Sequence, residues 1–177
     1  MEIIPAILEK NEEDFINAVA FLPPEVKFVH VDVLEDDVWA PIERDFEAHL
    51  MVEDPEEIFD IWKERGAKRI IAHKILPKTE GMEVGLGLEM HIPITDEVFG
   101  ADFVHLMSIA KIGEQGHPLD ERIFDRIREV KERFPGKIIS VDGGINISNY
   151  EKLIEAGADR LVVGSGFKEL WTLQMKK

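Results

Sequence analysis

The sequence predicts an α/β protein in which eight parallel strands close a shortened (β/α)8 TIM barrel. Its short apolar runs are rich in β-branched residues and are bounded by glycine, proline or charged clusters, as strands are. Most of these runs precede a segment with helical periodicity, and this alternation indicates a parallel sheet. Eight is also the strand number that closes such a barrel. The predicted strands cover residues 3–8, 26–33, 46–51, 69–73, 83–88, 101–107, 137–142 and 160–165.

Four segments carry apolar residues at helical spacing, each between residues that start or stop a helix. Asn11 and Ser148 are the predicted caps at two of the starts, because their side chains accept from backbone N–H groups. Too few residues separate strand four from strand five for a helix of normal length, and the amphipathic tail after strand eight is short. The helices lie between Asn11 and Pro23, between Asp54 and Gly66, over about 119–134, and between Ser148 and Gly157.

The 177 residues are predicted to form one domain, a barrel over residues 1–177, because no linker or low-complexity segment divides them. Barrels of this class typically use about 250 residues. The connections must therefore be short, and we expect trimmed helices after strands four and eight. Trimmed helices leave apolar barrel surface uncovered, so we expect a homo-oligomer that buries it, with Phe167, Leu170 and Trp171 as contact candidates.

The charge balance excludes several function classes. A net charge of −15 argues against binding to nucleic acid, whose phosphates need a basic surface, and against binding to an anionic membrane. No apolar run approaches the roughly 20 residues that span a bilayer, and the N-terminus is too short and too acidic for a signal peptide. We therefore expect a cytoplasmic protein. The absence of cysteine leaves His, Asp and Glu as the metal ligands available.

Polar residues at the ends of three predicted strands mark a candidate site. His30 and Asp32 lie two residues apart in strand two, so their side chains share one face. His49 lies near the end of strand three, and Asp142 ends strand seven. The carboxyl ends of barrel strands meet at one mouth, where active sites are built. Two imidazoles and two carboxylates at that mouth suit a divalent ion such as Zn²⁺, Fe²⁺, Mn²⁺ or Co²⁺.

Glycine-containing turns follow the last two strands. Gly143 and Gly144 come directly after strand seven, and Gly164 and Ser165 lie at the end of strand eight. Glycine lets backbone N–H groups approach an anion, and barrels commonly hold phosphate at these two loops. Together the two loops predict a phosphate cradle, whereas either loop alone is consistent with an ordinary turn.

The other histidines leave alternatives open. His73 ends strand four and is a candidate for the mouth, whereas His105 lies within strand six and is compatible with the core. His91 and His117 lie in predicted loops, and we expect them in solvent. Each polar residue of the candidate site, taken singly, also fits a hydrogen-bonded interior residue.

These motifs, in their chain order, resemble the ribulose-phosphate 3-epimerase family. The resemblance implies a (β/α)8 barrel that binds a divalent metal through two histidines and two aspartates, which by position are His30, Asp32, His49 and Asp142. The motifs that carry it are Pro5-Ala6-Ile7-Leu8, His30-Val31-Asp32-Val33, His49-Leu50-Met51, Met107-Ser108, Val141-Asp142-Gly143-Gly144 and Gly164-Ser165.

The resemblance also implies a reaction. In this family the two aspartates, here Asp32 and Asp142, act as an acid/base pair on opposite faces of C3 of ribulose 5-phosphate, giving xylulose 5-phosphate. A metal-stabilised enediolate lies between the two proton transfers. Met51 and Met107 are the further substrate contacts that the resemblance implies. A phosphorylated sugar of the pentose phosphate pathway is thus the expected partner.

The chain departs from the family pattern where the family holds its substrate. Ala6 stands in place of a serine, and Leu34-Glu35-Asp36 stands in place of Met-Asp-Gly. Residues 110–116 replace the family's Asn-Pro-Gly-Phe-Gly-Gly-Gln loop, and there Glu114 would repel a phosphate whereas Lys111 would attract one. These departures leave two alternatives open. One is a related phosphate-binding barrel enzyme with another substrate, such as a hexulose-phosphate epimerase, and the other is a barrel that binds without catalysis.

Overall fold

The computed structural model describes residues 1–109 and 113–175 and contains a closed barrel of eight parallel strands. Each strand pairs with its neighbours in chain order, and the last strand closes on the first. The predicted fold class is confirmed, and each predicted strand begins and ends within two residues of an observed one. The strands are β1 (Glu2–Ile7), β2 (Phe28–Val33), β3 (Asp45–Leu50), β4 (Arg69–Ala72), β5 (Glu83–Leu88), β6 (Phe103–Met107), β7 (Ile138–Asp142) and β8 (Arg160–Val163).

Five helices lie outside the strands in the described part of the chain, and none of them is long and apolar enough to span a membrane. The trimmed connections after strands four and eight are confirmed. The described residues between β4 and β5 form no helix, and the last helix has only eight residues. A 3₁₀ turn, Asp96–Gly100, precedes β6. The helices are α1 (Glu12–Phe21), α2 (Pro55–Glu64), α3 (Ile123–Arg133), α4 (Tyr150–Ala156) and α5 (Phe167–Gln174).

One of the two predicted helix caps is confirmed. The Asn11 side chain accepts a hydrogen bond from the backbone N–H of Asp14 at the start of α1. The prediction for Ser148 is wrong, because α4 begins later, and the Ser148 hydroxyl instead donates to the side chain of Asn146. Asn146 thus ties together the turn after β7 and positions the entry to α4.

The strand register decides which side chains enter the barrel. His30 is paired with Glu47, and Asp32 with His49, so these four residues of β2 and β3 lie on the same face of the sheet. That face is the barrel interior, because Glu47 is also paired with Arg69 of β4, whose side chain reaches across to other strands. The alternate residues of β2 (Val29, Val31 and Val33) point outward and are buried in the core beneath the helices.

Strand β5 contributes two glycines to the interior and thereby leaves room for its neighbours. A Cβ on Gly85 would lie 2.4 Å from the ring of Phe103. A Cβ on Gly87 would lie 3.3 Å from the ring of His73. Large side chains from β6 and from the residue that follows β4 therefore fill the volume that β5 leaves empty, as close packing of a barrel interior requires.

The amino-terminal end of the barrel is closed by a partly buried ion cluster. Arg69 lies 2.9 Å from Glu2, 3.3 Å from Glu47 and 2.8 Å from Glu83. Arg160 of β8 lies 2.8 Å from the same Glu83 carboxylate. Charges removed from water are tolerated when they are paired, and the alternation of Arg and Glu around this end gives each charged side chain a partner of opposite sign.

The apolar face of α5 packs within the chain. Phe167 and Leu170 are buried in the outer core, and Trp171 packs partly against it. The prediction that Phe167 and Leu170 lie on a self-association surface is therefore wrong, because even this short helix places both side chains against the barrel. The expectations of a single domain and of a homo-oligomer stay predictions.

The ion cluster generates the first testable prediction. Replacing Arg69 by Met removes the cation beside Glu47, a fully buried carboxylate, while the side chain of Arg69 is itself only 12% exposed. Breaking a buried pair from one side leaves an uncompensated charge, so we expect the R69M variant to lose about 3 kcal/mol of unfolding free energy. Denaturant unfolding monitored by circular dichroism measures this loss.

The adjacent residue provides the control. Lys68 is 57% exposed and lies 3.8 Å from Asp45, an exposed ion pair of small energetic worth. The K68M variant should therefore unfold within about 0.5 kcal/mol of the wild type. Equal stability of the two variants would contradict the assignment of Arg69 as the cluster's central cation.

Candidate metal centre and substrate cavity

His30 is held between two carboxylates inside the barrel. Its Nδ1–H donates to Glu47 Oε1 at 2.8 Å, and its Nε2 lies 3.2 Å from Asp32 Oδ1. Burial opposes a charged imidazole, yet the hydrogen bonds to Asp32 and Glu47 raise the pKa of His30 well above its usual value. Without metal, His30 is thus an imidazolium between two anions, and its Nε2 proton is the one that a metal ion would displace.

His49 is oriented by a second histidine. His49 Nε2 lies 2.9 Å from His73 Nε2, so one ring donates an N–H to the lone pair of the other. Its Nδ1 is buried without a hydrogen-bond partner and lies 3.5 Å from Asp32 Oδ1. Burial lowers the pKa of both His49 and His73 to about 4, so both rings are neutral near pH 7. The tautomer in which His49 Nε2 donates to His73 leaves the Nδ1 lone pair directed at the centre of the site.

His105 enters the same space from β6. Its Nδ1 lies 3.0 Å from the Ser140 hydroxyl, and its Nε2 lies 3.6 Å from Asp142 Oδ2 but has no hydrogen-bond partner. Burial lowers the pKa of His105 to about 3, so this ring is also neutral. The expectation that left His105 in the core is half correct, because the residue is fully buried but faces the polar cluster.

The donor atoms of four side chains converge closely enough for one ion. One ligand atom from each of His30, His49, His105 and Asp142 lies within 4.8 Å of every other. Asp32 borders this group through its contacts with His30 and His49. Two neutral imidazole lone pairs without partners, beside carboxylates, match the nitrogen and oxygen donors that borderline divalent metals prefer. The donor set therefore fits a divalent metal ion.

The two aspartates have opposite protonation tendencies. Burial opposes ionisation of Asp32, but the hydrogen bond from His30 and the positive charge of that ring lower the pKa of Asp32 far below the usual range. Burial, together with the negative charge of Asp32, raises the pKa of Asp142 to about 6. In the metal-free site, Asp32 is therefore the stronger anion and Asp142 the more readily protonated carboxyl.

An open cavity of about 330 Å³ lies at the barrel mouth beside this cluster. Both aspartates line it, whereas His30 and His49 are fully buried. All six residues predicted to contact the substrate or its phosphate also line this one cavity. They are Met51, Met107, Gly143, Gly144, Gly164 and Ser165.

The glycine loop after β7 has a conformation that other residues rarely adopt. Gly143 has φ +110° and Gly144 has φ +66°. A Cβ on Gly144 would lie 2.3 Å from the backbone nitrogen of Leu119, and a Cβ on Gly164 would lie 2.7 Å from the side chain of Gln115. Ser108 fixes the start of the first loop by donating its hydroxyl to the carbonyl oxygens of Asp142 and Gly143. These loops are thus closely packed, and a side chain at Gly144 or Gly164 would collide with a neighbour.

Several residues at which the chain departs from the family pattern can be located relative to the cavity. Ala6 lines the cavity, so the position where the family has serine does face the candidate substrate. Glu114 also lines the cavity and lies 3.0 Å from His117 Nε2, so its charge has a local partner. His117, expected in solvent, lines the cavity as well, whereas His91 is 73% exposed as expected. Lys111 lies outside the described residues.

Sequence reasoning missed the functional position of His105 and the role of Glu47. The alternation of side chains along a strand could have located both residues. His105 shares the inward face with Met107, and Glu47 shares it with His49. His73, a candidate for the mouth, does face it. The predicted ligand set of His30, Asp32, His49 and Asp142 is brought together at the mouth, and its role stays a prediction.

Comparison with known proteins places the chain in a family. The model of the ribulose-phosphate 3 epimerase family matches residues 15–168. A ribulose-phosphate 3-epimerase from Aquifex aeolicus is 34% identical over 138 residues, which is 68% of this chain and 61% of that protein. One from Treponema pallidum is 24% identical over 93% of this chain and 90% of its own length. The match to the Aquifex protein thus spans about three fifths of that relative.

Solved structures support the fold alone. The crystal structure of 3-hexulose-6-phosphate synthase from Salmonella typhimurium superposes with a TM-score of 0.66, over 96% of this chain and 91% of that one, at 15% identity. Such a low identity carries no information on substrate. The family model, in contrast, extends from α1 into α5 and includes every strand from β2 to β8. The chain therefore belongs to the ribulose-phosphate 3 epimerase family.

Proposed function

We propose that this chain is a metal-dependent epimerase of a sugar phosphate that converts ribulose 5-phosphate into xylulose 5-phosphate. The main support is a single cavity in which Asp32 and Asp142 lie beside the glycine loops that follow β7 and β8. A substrate with a reacting carbon at one end and an anionic group at the other fits this division. The family membership supports the same reaction class.

The phosphate end of the substrate would bind at the two glycine loops. Gly144 and Gly164 present backbone there without side chains, and Ser165 adds a hydroxyl. Backbone amides and hydroxyls bind phosphate oxygens by hydrogen bonds without adding a positive charge. Anchoring the phosphate in this way would place the sugar chain over the two aspartates and reduce the entropy cost of reaching the reactive geometry.

The metal would be held by His30, Asp32, His49 and Asp142. When bound, a divalent ion supplies positive charge that stabilises the negative charge developing on the substrate oxygens next to C3. The protein keeps these ligands oriented through Glu47, which accepts from His30, and through His73, which contacts His49.

The proton transfers belong to the two carboxylates. The C3 hydrogen is acidic only because it lies next to the C2 carbonyl, so its removal needs a positioned base. One carboxylate removes this proton from one face of C3, and the other returns a proton to the opposite face, which inverts the centre. Asp32 and Asp142 suit this division of roles, because the hydrogen bond from His30 lowers the pKa of Asp32 while burial raises the pKa of Asp142.

Isotope exchange tests the two-carboxylate mechanism. In D₂O, the wild type should exchange the C3 hydrogen of both epimers. Asp32→Asn and Asp142→Asn should each lower epimerisation by about 10³-fold, the scale of a lost general acid or base. Each variant should retain exchange from one epimer only, and the two variants should retain opposite epimers. NMR of the recovered sugar phosphates measures both quantities, and metal content is determined for each variant.

Asp36 provides the matched control, since it is exposed in the loop that follows the same strand as Asp32. The Asp36→Asn variant should exchange and epimerise as the wild type does. Epimerisation within twofold of the wild type in either Asp32→Asn or Asp142→Asn would refute the mechanism. A wild-type protein that binds no divalent ion would refute the metal requirement.

A second candidate is the same chemistry on a different sugar. No Lys or Arg is among the described residues that line the cavity, whereas Asp32, Asp142 and Glu114 are. This acidic lining favours a substrate with less negative charge than a phosphate carries, unless the backbone amides alone hold the phosphate. A related barrel enzyme and a non-catalytic binding barrel both fit this observation.

Substrate comparison separates these candidates. If the glycine loops bind phosphate, kcat/KM for ribulose 5-phosphate should exceed that for ribulose by about a hundredfold, because remote binding energy is used at the reacting centre. A ratio near one would favour the second candidate. Phosphate-ester binding measured by calorimetry, without turnover of either sugar when metal is added, would indicate a binding barrel.

A further inference from the structure

His105 has one buried nitrogen that the protein does not satisfy. The side chain is fully buried, and its Nδ1 lies 3.0 Å from the Ser140 hydroxyl. Its Nε2 has no hydrogen-bond partner. Leaving a buried polar atom without a partner is costly, so such an atom calls for a ligand or a bound ion.

We propose that His105 is a further ligand of the metal, bound through Nε2, beside the ligands named above. The inference rests on metal binding in the proposed function but adds a residue that the family resemblance does not contain. The donor atoms of His105, His30, His49 and Asp142 all lie within 4.8 Å of one another. Donors at about 2.1 Å from one ion are at most about 4.2 Å apart, so small side-chain shifts complete the site.

The ring packing supports this assignment. The rings of His105 and His30 are nearly parallel, with an interplanar angle of 13° and centroids 5.5 Å apart. The ring of His49 meets that of His105 edge-on, with centroids 4.7 Å apart. Three imidazoles in such contact would repel one another if all were charged, so this packing favours neutral rings. Neutral imidazole is the form that binds metal.

Ser140 acts as the positioning residue for this ligand. In the register of the barrel, Ser140 is the β7 residue directly paired with His105. When His105 Nδ1–H donates to the Ser140 hydroxyl, the lone pair of the ring lies on Nε2, which faces Asp142 at 3.6 Å. A second partner that fixes the tautomer in this way is characteristic of metal-binding histidines.

A purely structural histidine is the competing interpretation. A histidine with a purely structural role in the core has partners for both ring nitrogens. A buried nitrogen without a partner makes the folded state less stable than an apolar side chain of similar size would. Here Ser140 satisfies only the nitrogen that points away from the cluster. The unsatisfied nitrogen is the one that points into it.

A third imidazole ligand also narrows the range of metal ions that the site would select. Imidazole nitrogen favours Zn²⁺, Fe²⁺ and Co²⁺, whereas Mn²⁺ and Mg²⁺ prefer sites dominated by oxygen. His30, His49 and His105 together would supply three nitrogens, against oxygens from Asp32 and Asp142. The site should therefore select a borderline metal over Mn²⁺ more strongly than a set with two imidazoles would.

Metal affinity tests the proposal directly. Protein stripped by a chelator is titrated with Zn²⁺ and with Mn²⁺ against a chromophoric chelator, for the wild type, His105→Leu and His105→Asn. The asparagine variant keeps an atom that can contact Ser140 and lacks the Nε2 position. Both variants should bind Zn²⁺ 10- to 100-fold more weakly, with a smaller loss for Mn²⁺, and Ser140→Ala should lose about tenfold. X-ray absorption spectroscopy of the Zn²⁺-bound proteins should show one imidazole ligand fewer in the His105 variants than in the wild type.

Stability without metal provides the second measurement, with His91→Gln as the control. The exposed His91 lies outside the cluster, so this variant should match the wild type in metal affinity and in melting temperature. The metal-free His105→Leu/Ser140→Ala double variant should melt at or above the wild-type temperature, because it removes the unsatisfied nitrogen together with the hydroxyl that pairs with the other nitrogen of the ring.

Failure of this proposal and failure of the proposed function give different results. A wild type that binds metal with the same affinity as both His105 variants overturns this proposal and leaves the proposed function intact. A wild type that binds no divalent ion overturns both.

Discussion

The interior of this barrel depends on the pairing of charges that are removed from water. His30 lies between Glu47 and Asp32, and Glu47 in turn contacts Arg69, which lies within the ion cluster that closes the amino-terminal end. A buried charge without a partner costs several kcal/mol, so each member of this series is tolerated only because the next one is present. The pairing thus connects the end of the barrel that stabilises the fold with the end that carries the candidate site.

The two ends differ in how their polar groups are paired. At the amino-terminal end, Arg69 and Glu83 each contact more than one charged partner. At the carboxyl end, His49 and His105 each keep one buried nitrogen without a hydrogen-bond partner. One terminal nitrogen of Arg160 at the amino-terminal end is also without a partner, so the two ends differ in the kind of group that is left unsatisfied. At the carboxyl end these groups are imidazole nitrogens, which are donors that a divalent metal ion binds.

The short connections are compensated by local packing. The segment between β2 and β3 contains no helix, and Arg65 from the end of α2 holds it in place. The Arg65 guanidinium stacks 4.5 Å from the Trp62 ring and forms a bidentate pair with Asp37 at 2.7 and 2.9 Å. Trp39 packs edge-on against Trp62 at 5.1 Å. Aromatic and cationic side chains thus cover barrel surface that a longer helix covers in larger barrels.

The sequence by itself determined the fold class, the strands and most of the polar residues at the barrel mouth. Strands were predictable because apolar runs bounded by glycine and charge are local patterns, and His30, Asp32, His49 and Asp142 were predictable because each lies near a strand end. The predicted Ser148 cap failed because α4 begins at Tyr150, which leaves Ser148 in the preceding turn, where its hydroxyl donates to the side chain of Asn146. The predicted contact surface on α5 failed because apolar periodicity does not say which neighbour a helix packs against.

The tertiary structure decided the environment of each group. Only the closed barrel brings His105 of β6 within range of Asp142 and His30, residues that are far from it in the chain. Glu47, one polar residue in an ordinary strand pattern, becomes the partner of His30 only through the β2–β3 register. The opposite pKa shifts of Asp32 and Asp142 likewise arise from burial and from neighbours on other strands. Long-range pairing of this kind depends on register and closure, which local sequence patterns do not encode.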